Sequence, residues 1–224
     1  MMKPVIALST LALLPALVSA QGQAAPAAVA RPKPPALEKR TVAATPMSPE
    51  YVQLARNVEI IPSIESAVQT SGVATHEGVF GPLLFAERTR AFFLELKPGM
   101  FVHEHPHDLG SLVYTVRGKW VLASEGKRQV MEAGSLFRFG DRMPTGWEAP
   151  FAAGALLLIV KYKPKAETYA SFHKGLEEVQ AELEKEHKSG VPFYFDELKP
   201  DHPAVVFARS VNPDFDAVLK ARRN

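Results

Sequence analysis

From Gly72 to Tyr162 apolar and polar positions alternate in short runs, and each run is closed by a turn bearing Gly or Pro. The runs PLLFAER, AFFLELK, MFVHEH, SLVYTVR, KWVLAS, RQVMEA, SLFRF and GALLLIVKY are rich in β-branched and aromatic residues and read as strands. KPG, SEGK, EAGS and DRMPTG between them read as turns. Many short strands with closely spaced turns predict a mainly β fold, an antiparallel sandwich or small barrel over residues 72–163. After Pro164 the period changes. Tyr169, Phe172, Leu176, Val179 and Leu183 step by three or four, which predicts a helix over 166–188 with one apolar stripe. Glu177, Glu178, Glu182, Glu184 and Lys185 form its polar face, and Gly190 stops it. The stripe is expected to pack on the helix's own barrel, with a dimer contact as the alternative. Two further short helices are predicted, one from Asp201-His202-Pro203 and one after Asn212-Pro213. Upstream, SPEYVQLARNV (48–58) opens with Ser and Pro and predicts a short helix.

The N-terminus has a different texture. Lys3, an apolar run from Val5 to Val18 and the small-x-small sequence Val18-Ser19-Ala20 predict a cleaved signal peptide over 1–20. The run is shorter than the roughly 20 residues that span a bilayer, so no membrane span is expected after processing. The protein is therefore expected to be exported, to a periplasm or to the extracellular space. Residues 21–46 are rich in Ala and Pro and read as a linker, in which Lys39-Arg40 is an ordinary charged pair. The expected organisation is signal peptide 1–20, linker 21–46, N-terminal extension 47–71, barrel 72–163 and helical C-terminal extension 164–224.

Composition narrows the function. Hydrophobic residues make up 46% and charged residues 22%, an ordinary globular balance with a core of useful size. The net charge is +2 and no basic patch interleaves with aromatics, so nucleic acid is not an expected partner. Cysteine is absent, which excludes disulfides, thiolate ligands and a cysteine nucleophile.

The candidate chemistry lies in LKPGMFVHEHPHDLGSLVYTVRG. Three of the seven histidines, His103, His105 and His107, occupy alternate positions there. On a regular strand they point to one side, where three imidazoles hold a divalent metal such as Fe, Mn, Ni, Cu or Zn. Pro106 cannot donate to a sheet ladder, so the strand is bent, bulged or at an edge, and a break in alternation leaves at most two of the three on one ion. A solvated loop is the alternative.

The spacing resembles the first motif of the cupins, small double-stranded β-helix (jelly-roll) barrels. Gly99 is followed by five residues, His105, one residue, His107, three residues, Ser111, six residues and Gly118. A weaker second motif is carried by Gly134, Phe139, Pro144, Gly146 and Trp147. The resemblance implies a cupin barrel with helical N- and C-terminal extensions, and pairing into a homodimer. It also implies a metal site of two His and one Glu from the first motif and one His from the second. Here Ser111 stands at the Glu position and Thr145 at the second-motif His position. The metal set expected on this chain is therefore His103, His105 and His107 with water, or the site is vestigial.

Three functions follow. The first is a metal-dependent, dioxygenase-type enzyme on a small organic substrate. The second is a non-catalytic barrel that binds a small molecule, for which Arg138, Arg142 and Lys161 offer positive charge. The third is a metal-independent isomerase, which needs a His–carboxylate pair inside the barrel; Asp108 beside His107 is the only tight candidate in sequence. His76 precedes the barrel and either folds over its mouth or, as a single loop histidine more often does, lies in solvent, and His173, His187 and His202 read as surface residues on helical tails. Tyr114 and Trp120 read as packing residues, with Tyr114 on the face opposite Ser111.

Overall fold

The computed structural model describes residues 39–163 and 166–223; the signal segment and nearly all of the linker expected at the N-terminus lie outside them. No helix among the described residues is long and apolar enough to cross a membrane. The first element is a small antiparallel sheet of β1 (Arg40–Val42), β2 (Tyr51–Ala55) and β3 (Val58–Ile60), with β2 in the middle. This corrects two expectations. The linker does not extend to residue 46, because Arg40–Val42 pairs with Tyr51–Gln53. Residues 48–58 are a hairpin and not a helix. Ser48 cannot cap a helix, since its backbone N–H bonds the Thr45 carbonyl at 3.2 Å and its hydroxyl lies 3.1 Å from that of Thr45. Asn57 takes the left-handed turn conformation (φ 58°), which an amide side chain tolerates, and Tyr51 and Val52 suit a strand.

Helix α1 (Ile64–Ser71) is capped by the Ser63 hydroxyl, which accepts from the Ser66 N–H at 3.1 Å. Its buried face, Ala67 and Val68, lies on Leu83, Phe93 and Leu156 from the outer side of the main sheet. That sheet comprises β4 (Val73–Thr75), β5 (Gly78–Phe85), β6 (Thr89–Leu96), β7 (Phe101–Pro106), β8 (Ser111–Ser124), β9 (Lys127–Glu132), β10 (Leu136–Phe139), β11 (Pro144–Glu148) and β12 (Ala155–Tyr162). The order is β4-β5-β6-β12-β8-β11-β7, with β9 and β10 also on β8, and every pairing is antiparallel.

Strand β8 explains how one sheet becomes two walls. Its first half pairs with β12 and β10, and its second half with β9 and β11. The bend falls at Gly118, which closes the motif seen in sequence. Gly118 has φ 82°, and a Cβ there would lie 2.1 Å from the Gly154 carbonyl oxygen. Only glycine meets both conditions. Sequence reading splits this strand in two at Gly118 and reads Asp141–Gly146 as a turn; the end of that stretch instead opens β11, a strand that joins β8 to β7. The result is the double-stranded β-helix that the resemblance implies.

Between the walls lies a core that includes Phe92, Leu94, Val113, Trp120, Trp147 and Leu157. Trp120 is fully buried, stacks on Trp147 at 5.3 Å and donates its indole N–H to the Thr115 hydroxyl at 3.0 Å. Alternation on β8 buries Ser111, Val113 and Thr115. Tyr114 faces outward as expected but is 40% exposed, so it is not a core packing residue.

Helix α2 (Tyr169–Lys188) begins at Thr168, whose hydroxyl accepts from the Ser171 N–H. It closes one end of the barrel with Phe172, which packs on Phe85 and Phe92. Its stripe departs from expectation. Val179 is exposed, and Gln180 faces the barrel in its place, bonded to the β4–β5 turn. Helices α3 (Pro203–Val211) and α4 (Phe215–Arg223) pack on the outside of β7 through Phe101, Val205, Ala208 and Phe215. His202 is the α3 cap, its Nδ1 accepting from the Ala204 N–H at 3.2 Å, so it has a structural role beyond a surface position.

The bend at Gly118 gives a contrast within one residue type. Gly118→Ala is expected to cost about 3 kcal/mol or more, because strain and a backbone clash add. Gly126→Ala, also at positive φ (73°) but with nothing within 4 Å of its Cβ, is expected to cost about 1 kcal/mol. Urea denaturation of the two variants checks this; equal losses would mean that the bend does not need glycine.

Candidate functional site

The two walls enclose a small cavity of about 110 Å3. Phe80, Phe92, Leu94, Phe139, Trp147 and Ile159 form its apolar lining. Five polar side chains reach it: Glu77, His105, His107, Ser111 and Lys161. An apolar pocket with a few converging polar groups is the usual form of a small-molecule site. A larger groove of about 400 Å3 beside α3 contains one charged residue, Arg128. That guanidinium is tied to the buried Glu148 at 2.9 Å and is not free for chemistry.

The histidine strand β7 sends His105 and His107 into the cavity, with ring centroids 4.6 Å apart. His103 does not line it. The cause is a bulge: Trp147 of β11 pairs with Val102, but Thr145, two residues earlier, pairs with His105, three residues later. The extra residue breaks the alternation on which a shared face depended. Gly146 sits under the bulge, where a Cβ would be 2.7 Å from the Val102 carbonyl oxygen. The His103 ring packs edge-on to Phe193 at 6.2 Å, and its Nδ1 is buried without a hydrogen bond among the described residues. Burial and the neighbouring His105 hold its pKa below the usual histidine range.

His107 is bonded through Nε2 to the Thr145 hydroxyl at 2.8 Å. Thr145 thus occupies the second-motif position and engages one of the two ring nitrogens of His107. Burial, with smaller contributions from His105 and Lys161, pushes the pKa of His107 down to about 4, so its ring is neutral at neutral pH. His105 has its Nδ1 3.1 Å from the His103 carbonyl oxygen, a bond in which Nδ1–H donates. That fixes the tautomer and turns Nε2 toward the Glu77 carboxylate at 3.5 Å.

Glu77 is the site residue that sequence reading missed. It sits in the two-residue turn between β4 and β5, where its N–H donates to the Thr75 hydroxyl at 3.2 Å. The neighbouring His76 is gripped by α2. Its N–H donates to the Gln180 side-chain carbonyl at 3.0 Å, and the Gln180 amide donates to its Nδ1 at 3.0 Å. His76 is therefore a clamp and not a solvated loop residue. With His76 held outward, Glu77 turns inward. Burial raises its pKa above the ordinary carboxylate value, partly offset by His105 and reinforced by Glu186. No spacing in sequence marks this residue; only the hairpin fold brings it 28 positions up the chain to His105.

Asp108, the carboxylate considered in sequence, is exposed and does not line the cavity. Arg138 and Arg142 are exposed as well, whereas Lys161 faces inward on β12. The described donors do not fit the metal set that the resemblance implies. His103 is displaced by the bulge, Ser111 is neutral, and the His107 nitrogen is engaged by Thr145. Among the described residues no group of three or more His, Asp or Glu has metal-holding geometry.

No family model and no curated protein sequence matches the chain. Solved structures do. A double-stranded β-helix protein from Klebsiella pneumoniae is similar over 50% of this chain and 95% of its own, at 14% identity and TM-score 0.41. An RmlC-like cupin from Shewanella frigidimarina is similar over 44% and 87%, at 21% identity and TM-score 0.39. The polyketide cyclase RemF from Streptomyces resistomycificus is similar over 41% and 68%, at 17% identity and TM-score 0.37.

The shifted His107 makes a pH prediction. Its folded pKa is depressed, so between about pH 6.5 and 4 the unfolded chain binds more protons than the folded one. Its contribution to stability is present above pH 6.5 and is lost as pH falls toward 4. His107→Gln is expected to flatten the stability profile in that window, as read by urea denaturation at stepped pH. An unchanged profile would contradict a neutral, buried His107.

Proposed function

We propose that the cavity binds a small organic molecule and moves a proton on it, with Glu77 and His105 as the acid–base pair. The observation that carries this is the meeting of a buried carboxylate and a tautomer-fixed imidazole, 3.5 Å apart, inside an apolar pocket. Facing each other at the cavity, the two groups can exchange protons with a molecule bound between them. One member of the pair takes a proton from carbon or oxygen of the substrate, and the other returns one, so the pair ends as it began. The reaction class this serves is isomerisation, epimerisation or elimination next to a carbonyl. It is the third of the functions considered from sequence, with Glu77 replacing Asp108 as the carboxylate.

The metal-dependent, dioxygenase-type reading has the His105 tautomer in its favour, since a metal-bound imidazole also donates its other N–H to a carbonyl. Against it, no group of three or more His, Asp or Glu among the described residues has metal-holding geometry. We also propose export, on the strength of Lys3, the apolar run and Val18-Ser19-Ala20. N-terminal sequencing of protein from its native host should then begin at or after Gln21.

The acid–base reading is tested by deuterium exchange. Small aldehydes, ketones, hydroxy acids and keto acids are incubated with the protein in D2O and followed by proton NMR, with and without EDTA. At least one compound is expected to exchange at carbon, equally in both buffers. Glu77→Gln and His105→Gln are each expected to slow that exchange by about 100-fold or more. Exchange that EDTA abolishes, or one equivalent of Fe, Mn, Ni, Cu or Zn in the purified protein, would overturn the metal-free reading.

A further inference from the structure

Ser111 and Lys161 are paired residues on neighbouring strands, β8 and β12, and both line the cavity. Ser111 is 6% exposed, and its hydroxyl oxygen is buried with no hydrogen bond among the described residues. A buried hydroxyl without a partner is uncommon and calls for one. Lys161 has no carboxylate within 4.0 Å among the described residues, whereas the cavity's own carboxylate, Glu77, faces His105. Its cross-strand neighbour Arg90 takes the nearby Glu167, leaving the ammonium uncompensated. Asp108 and Glu167 favour its charge only from a distance, while burial and Arg90 oppose it.

We infer that Ser111 and Lys161 together recognise a carboxylate, so that the molecules this cavity takes are small organic acids. The ammonium supplies charge and a donor, and the serine hydroxyl supplies a second donor to the other carboxylate oxygen. The inference rests on the cavity being a ligand site, as under the proposed function, and it gives the loss of the motif carboxylate a reason. A Glu at position 111 would face Lys161 across the ladder and neutralise it. Serine there turns a site for cations into one for anions. The small volume restricts the ligand to a few heavy atoms beyond the carboxylate.

The test is binding, read by tryptophan fluorescence and by calorimetry. Acetate, lactate and pyruvate are compared with acetamide, lactamide and pyruvamide, which have the same shape without the charge. Wild type is expected to prefer at least one acid over its amide by about tenfold or more. Lys161→Met and Ser111→Glu are expected to bring that ratio close to one, and Lys161→Arg to keep most of it. Thermal melts confirm that each variant is folded. Glu77→Gln is expected to keep the preference for acids while losing proton exchange, so failure of recognition and failure of catalysis are read separately. Binding of neither acids nor amides to wild type, equal binding of both, or an undiminished preference in folded Lys161→Met would each overturn the inference.

Discussion

Strand β7 lies against β11 only because position 146 has no side chain. The bulge that Gly146 accommodates decides which histidines face the cavity. A regular β7 would present His103, His105 and His107 as one row and would favour a metal. The bulged β7 keeps two of them inside and leaves the His103 backbone carbonyl to hold the His105 ring. The tautomer of His105 and the direction of its Nε2 follow from that one insertion.

The carboxylate arrives from another part of the fold. Helix α2 packs on β4 and β5, and Gln180 on that helix holds His76 at both its N–H and its ring nitrogen. His76 also lies against His187 and Phe193, with ring centroids 4.9 Å and 5.4 Å away. Because adjacent residues of a tight turn point apart, a clamp on His76 is an aim for Glu77. The C-terminal extension is thus part of the site, although it contributes no lining residue.

The barrel was legible in sequence because its strands alternate cleanly and its turns are marked by Gly and Pro. The three C-terminal helices were legible, the first from its three- and four-residue periodicity after Pro164 and the other two from Pro203 and Pro213 as start signals. The N-terminal hairpin was not, because Ser-Pro-Glu mimics a helix start and the pairing that overrides it lies in Arg40–Val42. Val179 misled the helix stripe because its place toward the barrel is taken by a polar residue with a specific partner. At the site, the motif spacing identified His105, His107, Ser111 and Thr145 as the positions that matter. The Glu77 approach was illegible, since it depends on contacts across strands that no local pattern records. The break in alternation was foreseen as a consequence of Pro106; its cause is the close passage over Gly146.

The central claim is that Glu77 and His105 form an acid–base pair inside the barrel. Its most direct test is the titration of the Glu77 carboxyl carbon by NMR in selectively labelled protein, in wild type and in His105→Gln. The account expects Glu77 to titrate above its ordinary value of 4.5, and higher still when the favourable imidazole is removed. A Glu77 that titrates at or below 4.5, or is indifferent to His105→Gln, would contradict it.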